Sequence, residues 1–431
     1  AQVVHEALVS HQYLSYTEGG ANYFKKPPLA FWAMEVSETV LGENTFAQRL
    51  PFVLFGIATL AALMLLVYEV SANTWAAALA GAVLATTAPF METARQVRVD
   101  IPVIFFIVLA VYFFLRALQN QKWFLAFGAA VGFAVMSKSV IAVFAGVAAL
   151  FILVLYRRFD LFKEKYLYFG AGVFLLVAAP WHLWEWAHFG NAFWSQYIGV
   201  EVLNRTQENL FWTVTITNAE YVGYLGQFTQ PWFAVFFAAV LSLAAAWKWL
   251  PQKGRRVALA CVATIAVMIA VFFTAKTKAP TYLLPIYPFA AIVIALAVAN
   301  IRTQFWRTAA CVVGALLLLS AMYGTYYNAY HLNPYFSIEL DMAKDEQIIA
   351  QPLINIPKTT PVYVYDDENL GSISYYSQHL YLLTLTATST PVAGSYVIVD
   401  TNGLPLFAQN FPQLSAQTIY SGPQVSLLQL R

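Results

Sequence analysis

Cations carry most of the chemistry open to this chain. Lys25 with Lys26, Arg95 with Arg98, Lys138, and Lys276 with Lys278 each sit in a short polar segment beside Pro, Tyr, Ser or Asp. Cations gathered at the mouths of apolar helices point to an anionic ligand, most simply a phosphate held at a membrane surface. Tyr23-Phe24-Lys25-Lys26-Pro27-Pro28 puts two of them ahead of a Pro-started helix, whose N-terminal dipole also favours anions. In Arg95-Gln96-Val97-Arg98-Val99-Asp100, Asp100 reads either as a helix cap partnered by Arg98 or as a carboxylate orienting an acceptor. Met136-Ser137-Lys138-Ser139 reads as a tight hairpin with a lone Lys, which is costly between apolar helices unless it pairs. The stretch Lys276 to Pro285 repeats the pattern, with Tyr282 one turn inside as a hydrogen-bond donor. Arg49 and Arg205 read instead as snorkelling anchors of helix ends. His182, Glu185 and His188, three residues apart, read as interfacial polar residues rather than a metal face.

The elements that position these groups must be apolar. Of 431 residues, 60% are hydrophobic and only 11% charged, against about 25% charged in a soluble domain. Mean hydropathy is +0.61. That composition excludes an ordinary soluble enzyme, a disordered chain and a fibrous repeat, and makes this an all-α polytopic membrane protein in contact with membrane lipids. The net charge of +2, with no basic stripe, gives no reason to expect a nucleic-acid partner. Cys261 and Cys311 lie in apolar runs and read as packing residues.

Ten segments are candidate spans: 51–70, 74–91, 101–118, 122–136, 139–156, 166–184, 228–249, 256–274, 279–299 and 305–325. Three connections are rich in Lys and Arg: 157–165, 248–256 and the Arg302/Arg307 link. All three fall on one side, assigned to the cytoplasm by the positive-inside rule. Residues 1–50 then form an external loop, 51–325 the transmembrane domain, and 326–431 a small external α/β domain. Within 1–50, the run from Pro27 to Leu41 reads as an amphipathic helix lying in the interface. β-like runs stand at Pro361–Tyr365, Ser395–Asp400 and Gln424–Leu430. Ala1–Ser10 is neither a signal peptide nor a span, so the topology calls for a further helix ahead of it.

These motifs together resemble the GT-C glycosyltransferases of the dolichyl-phosphate-mannose protein mannosyltransferase superfamily. The bacterial branch containing the aminoarabinose lipid A transferase is the more similar one. The family's Tyr-Phe-Glu-Lys-Pro-Pro motif matches Tyr23 to Pro28, its Arg-Leu-Pro matches Arg49-Leu50-Pro51, and its Arg-rich loop ending in Asp matches Arg95, Arg98 and Asp100. Its Thr-Lys-Gly-Pro turn appears as Ser137-Lys138-Ser139-Val140, without Gly and Pro, and its Ser-Lys-Leu-Pro-x-Tyr-Leu-Leu-Pro motif matches Thr277 to Pro285. The resemblance implies inverting transfer of a sugar from a polyprenyl-phosphate donor to lipid A, another envelope glycan or a protein, on the outer face of a bacterial inner membrane. It implies donor-phosphate contacts from Lys26, Lys25, Arg95, Arg98, Lys138, Lys278, Tyr282 and Tyr23, with Asp100 in support. The family's catalytic Asp lies upstream of the position of Ala1. Lys25 replaces a Glu that in some members helps hold a metal, so no metal or other cofactor is expected. The rival readings are a transporter or flippase for a lipid-linked anion and a catalytically inactive relative.

Overall fold

The computed structural model describes residues 2–208, 217–249, 251–299, 304–327, 348–357, 359–365, 383–385, 390–422 and 425–431. The chain divides into two units, Ala1–Tyr23 with Tyr330–Arg431, and Phe24–Ala329.

In the first unit, α1 (Gln2–Ser10) precedes a hairpin of β1 (Thr17–Glu18) and β2 (Ala21–Asn22). Gly19 and Gly20 turn the hairpin with φ of 62° and 78°, a conformation that side chains resist. The buried Glu6 carboxylate holds this turn, accepting from Thr17 Oγ1 at 2.6 Å and from the Gly19 N–H at 2.7 Å.

The second unit is a bundle of apolar helices. Helix α2 (Leu29–Leu41) leads into α3 (Thr45–Ser71). Next come α4 (Thr74–Ala85), α5 (Ala88–Ala94), α6 (Asp100–Ala117), α7 (Trp123–Lys138), α8 (Val143–Tyr156) and α9 (Lys165–Phe189). A broken segment follows: α10 (Asn191–Trp194), a π-helical stretch Ser195–Asn204, and α11 (Arg205–Gln207). The unit closes with α12 (Asn218–Phe228), α13 (Trp232–Ala245), α14 (Gln252–Thr274), α15 (Ile286–Ala299) and α16 (Gln304–Tyr327).

Every expected span is helical, but not every one is a single straight helix. Among the described residues, five helices are long and apolar enough to cross a membrane: α3, α6, α9, α14, and α15 with the turn before it. Segments 74–91 and 228–249 are instead pairs, α4 with α5 and α12 with α13, bent by 72° and 93°. Proline accounts for both breaks. Pro89 opens α5 and Pro231 caps α13, and neither can donate the backbone hydrogen bond of a continuous helix. Segments 122–136 and 139–156 form shorter apolar helices, and 305–325 lies within α16. Helix α3 begins at Thr45 and not at residue 51, because the Asn44 side chain caps it by accepting from the Ala47 N–H at 2.9 Å.

Helix α15 is apolar all round and buried all round from Ile286 to Ala297, so it lies in the core with α3, α4, α13 and α14 against it. Helices α7 and α9 approach closely. A Cβ placed on Gly128 would overlap the Gly170 carbonyl oxygen, and one on Gly132 would lie 2.8 Å from Val177 Cβ. Without a hydrophobic drive between lipid-exposed helices, such small-residue contacts bring backbones together.

At one end of the bundle Glu69 of α3 gathers Lys253 of α14 at 2.7 Å, Arg116 of α6 at 3.3 Å and Gln119 at 2.8 Å. Arg158 donates to the Leu118 carbonyl at 2.7 Å at this same end. Two of the three basic connections, 157–165 and 248–256, thus share one end of the fold. The Arg302/Arg307 link lies outside the described side chains.

The tail of the first unit carries a five-stranded sheet in the order β4-β3-β5-β7-β6. Its strands are β3 (Val362–Tyr365), β4 (Leu383–Leu385), β5 (Tyr396–Asp400), β6 (Ala416–Ser421) and β7 (Val425–Leu430). β3 pairs in parallel with β4 and β5, while β7 runs antiparallel to β5 and β6. Helical residues 348–354 and Leu404–Asn410 complete the expected small α/β fold. β3, β5 and β7 are the three apolar runs read from the sequence. β6 escaped that reading because five of its six residues are exposed and its composition is polar.

Gly128→Ala should lower the midpoint of thermal unfolding in detergent, because overpacking against a backbone costs about 1–3 kcal/mol. Gly172→Ala, where an added methyl meets open space, should leave the midpoint unchanged or raise it. Equal effects of the two substitutions would show that the α7–α9 approach is not tight.

Candidate active site

Four segments distant in sequence meet at the other end of the helical unit. Lys26 follows the buried Phe24 and precedes α2, and Lys138 is the last residue of α7. Glu201 and Arg205 come from the broken segment after α9, and Tyr282 from a one-turn 3₁₀ helix, Pro280–Leu283, ahead of α15.

An aromatic cluster forms the floor. Phe24, Met136, Trp181, Phe193 and Tyr197 are buried together, with Phe193 and Tyr197 stacked at a centroid distance of 4.9 Å. These five bind the Lys26 loop, the end of α7, the end of α9 and the π-helical stretch into one block. His182 completes the floor, with Nδ1 2.7 Å from the Ala178 carbonyl and Nε2 2.9 Å from the Tyr197 hydroxyl. Because a carbonyl only accepts, Nδ1 carries the proton, and in the neutral ring Nε2 accepts from Tyr197. His188 Nδ1 likewise meets the Trp184 carbonyl at 2.8 Å, so both rings serve helix α9.

Above this floor runs a chain of ionic contacts. Lys26 Nζ is paired with Glu201 Oε2. The other oxygen, Oε1, accepts from Arg205 Nη2 at 3.1 Å, and Arg205 Nη1 donates to the Tyr282 hydroxyl at 3.2 Å. Lys138 Nζ stands 5.2 Å from the Tyr282 ring centroid and 2.6 Å from Asp100 Oδ1. Burial acts most strongly on Lys26 and lowers its pKa; the nearby Lys138 and Arg205 charges add to this, and Glu201 only partly opposes it. Burial of Glu201 favours its neutral form, but Lys26 and Arg205 outweigh that and hold its carboxyl below the usual range.

The loop after α14 braces Arg205. The Thr277 N–H donates to the Arg205 carbonyl at 3.0 Å, and Thr277 Oγ1 to the Glu208 carbonyl at 2.6 Å. The fully buried Tyr221 secures the next turn by donating to the Ala279 carbonyl at 2.7 Å.

Of the residues expected to form the site, Lys26, Lys138, Tyr282 and Asp100 come together. Asp100 opens α6 and pairs with Lys138. Lys278 turns back to donate to the Ala275 carbonyl at 2.6 Å. Arg98 Nε donates to Gln96 Oε1 at 3.2 Å, while Lys25 and Arg95 have exposed side chains. Tyr23 belongs to the other unit, where its N–H donates to the Tyr16 carbonyl at 2.8 Å. Arg205, read from the sequence as an anchor, is instead at the centre of the cluster, and Glu201 was not singled out at all. The available signal was their i, i+4 spacing in a segment otherwise poor in charge.

With a cation at position 25, the residues there do not fit a metal ion. Among the described residues no three His, Cys, Asp or Glu side chains converge as a metal site. What the cluster offers is two cations and a phenol converging from three segments, the donor set of an oxyanion or phosphate seat.

Residues 25–184 match the model of the dolichyl-phosphate-mannose-protein mannosyltransferase family. The chain is 29% identical over 314 residues to an undecaprenyl phosphate-alpha-4-amino-4-deoxy-L-arabinose arabinosyl transferase of Erwinia tasmaniensis, covering 68% of this chain and 53% of that protein. It is 25% identical over 294 residues to an uncharacterized protein of Aquifex aeolicus, covering 67% of this chain and 56% of that one. It therefore spans about half the length of these curated relatives. In three dimensions it is similar to ArnT from Cupriavidus metallidurans bound to undecaprenyl phosphate, with a TM-score of 0.78 at 16% identity over 99% of this chain and 92% of that chain. The expected fold class and family resemblance are both borne out.

Lys138→Met would leave the Asp100 charge without its ion partner in a part-buried setting. We expect a loss of stability toward the low end of the roughly 3–5 kcal/mol typical of broken buried pairs. Adding Asp100→Asn should recover part of it, as read by a double-mutant cycle of thermal unfolding; strict additivity would deny the pairing.

Proposed function

We propose that this chain is the membrane-embedded body of an inverting glycosyltransferase that takes its sugar from a polyprenyl-phosphate donor. Its fold is that of ArnT, and its residues 25–184 match the mannosyltransferase family. The observation that carries the reading is the convergence of Lys26, Arg205 and Tyr282 at one end of an apolar bundle.

In this reading the acceptor attacks the anomeric carbon from the face opposite the phosphate. The glycosidic C–O bond breaks, and its electron pair leaves on the phosphate, which gains charge through the transition state. Lys26 and Arg205 stabilise that charge and Tyr282 donates a hydrogen bond, the fixed-donor strategy that accounts for much of enzymatic rate enhancement. Lys138 keeps to Asp100 and lends its positive field to the rim. Lys26 and Arg205 hold the Glu201 carboxyl below the usual range, which lowers its basicity, and Asp100 is tied to Lys138. The acceptor's proton passes to a general base, and neither Asp100 nor Glu201 is given that role.

The seat lies at a helix mouth, not midway along the spans. A transporter carries its binding site near the midplane, so this position favours transfer over transport. We assign the seat and the C-terminal sheet to the outer side of a bacterial inner membrane, opposite the basic connections. Lipid A, another envelope glycan or a protein hydroxyl is the acceptor class.

Lys26→Ala should lower the rate of sugar transfer by about 10²–10³-fold, the usual cost of removing one oxyanion donor, measured below the unfolding temperature of the variant. Near-normal transfer would remove the seat. For orientation, Val140→Cys and Phe159→Cys place exposed thiols at opposite ends of the bundle. In an otherwise cysteine-free background, an impermeant reagent applied from outside should label position 140 and spare 159. The reverse pattern would invert the topology.

A further inference from the structure

We propose that Glu201 is a resident counter-ion that occupies the lipid-phosphate seat in the empty protein and competes with the phosphate for Lys26 and Arg205. This rests on the reading of Lys26, Arg205 and Tyr282 as that seat.

The first observation is how the carboxylate is used. One oxygen meets Lys26 and the other meets Arg205, so Glu201 bridges the two groups that a phosphate would bridge. A carboxylate and a phosphate present the same paired acceptors to these donors. Two anions cannot share them, because like charges brought together in a poorly solvated site repel strongly.

The second observation is the charge sum. Lys26, Lys138 and Arg205 give three positive charges, and Asp100 and Glu201 two negative ones, a net +1. Taking Glu201 out of the seat makes the remainder +2. A phosphodiester donor carries one negative charge, whereas the phosphomonoester left after transfer carries about 1.5–2 at neutral pH. A returning carboxylate therefore opposes the product more than the donor. It makes release of the spent lipid easier at some cost in donor affinity.

The third observation is mechanical. Glu201 lies on Ser195–Asn204, a ten-residue π-helical stretch, whereas π geometry usually lasts one turn and marks functional sites. The stretch is held at its start by Tyr197 in the aromatic floor and followed by Arg205, which the Thr277 loop pins. Glu201 sits between those anchors, so its side chain can turn away from the seat while both ends stay fixed.

A brace and a competitor predict opposite effects of neutralising Glu201. A carboxylate that merely orients Lys26 and Arg205 strengthens phosphate binding, and its loss weakens it. A competing carboxylate weakens binding, and its loss strengthens it. The test is the affinity of undecaprenyl phosphate for the purified protein in nanodiscs, measured for wild type, Glu201→Gln and Lys26→Ala, with unfolding temperatures alongside. We expect Glu201→Gln to bind about tenfold more tightly than wild type, and Lys26→Ala more weakly. Glu201→Asp, one methylene shorter, should fall between wild type and Glu201→Gln and serves as the second variant if the amide impairs folding. Equal or weaker binding by the folded Glu201 variants, with Lys26→Ala still impaired, makes Glu201 a brace and overturns the proposal. If wild type does not bind saturably, or Lys26→Ala binds as well as wild type, the seat itself is misassigned and the counter-ion proposal falls with it.

Discussion

Two cations held side by side in a poorly solvated pocket need an anion between them. The Glu201 carboxylate, with one oxygen on Lys26 and the other on Arg205, meets that need. Removing either partner of such a pair leaves an uncompensated charge, so the local structure is built around keeping three residues from two segments in register. The aromatic floor, the Thr277 strap and the buried Tyr221 fix where those segments lie. The site is therefore maintained by anchoring backbone on either side of it, and its charged tips stay available for exchange.

The opposite end of the bundle uses a related arrangement for a different purpose. Glu69 also collects several donors, Lys253, Arg116 and Gln119, and so ties α3, α6 and α14 together. There Lys253 comes from a connection that the sequence already marks as basic, and a Tyr156 ring under Arg256 at 4.9 Å extends the contact. One carboxylate beneath several cations closes the bundle at that end. At the other it leaves a seat whose donors point to a common region.

The apolar scaffold was the most legible part of the chain, because each span is an apolar run with at most one charge, near its end, and is read by composition alone. Pro89 and Pro231 were visible, but a Pro near a helix end is compatible with either a start or a bend, and only the fold decides between them. In the site, single-segment signals such as Lys26 before Pro-Pro and Tyr282 after Pro280 could be read. Contacts between segments could not. Asp100 and Lys138 are separated by 38 residues, and Lys26 and Glu201 by 175; no local pattern encodes such pairs. Arg205 was misread for the same reason, since an Arg at a helix end looks like an anchor until its partners are seen.

Helix α2 turns the usual arrangement of a surface helix around. Glu35, Ser37 and Glu38 face the protein, while Val36, Val40 and Leu41 are exposed on the outer side. An interfacial helix turns such a face to lipid, and under the proposed reading Lys26, three residues before α2, stands at the depth of the phospholipid headgroups. A substrate whose phosphate already travels at that depth needs no extraction from the bilayer. It arrives by lateral diffusion in two dimensions, and the encounter rate is governed by its mole fraction among membrane lipids and not by its concentration in solution.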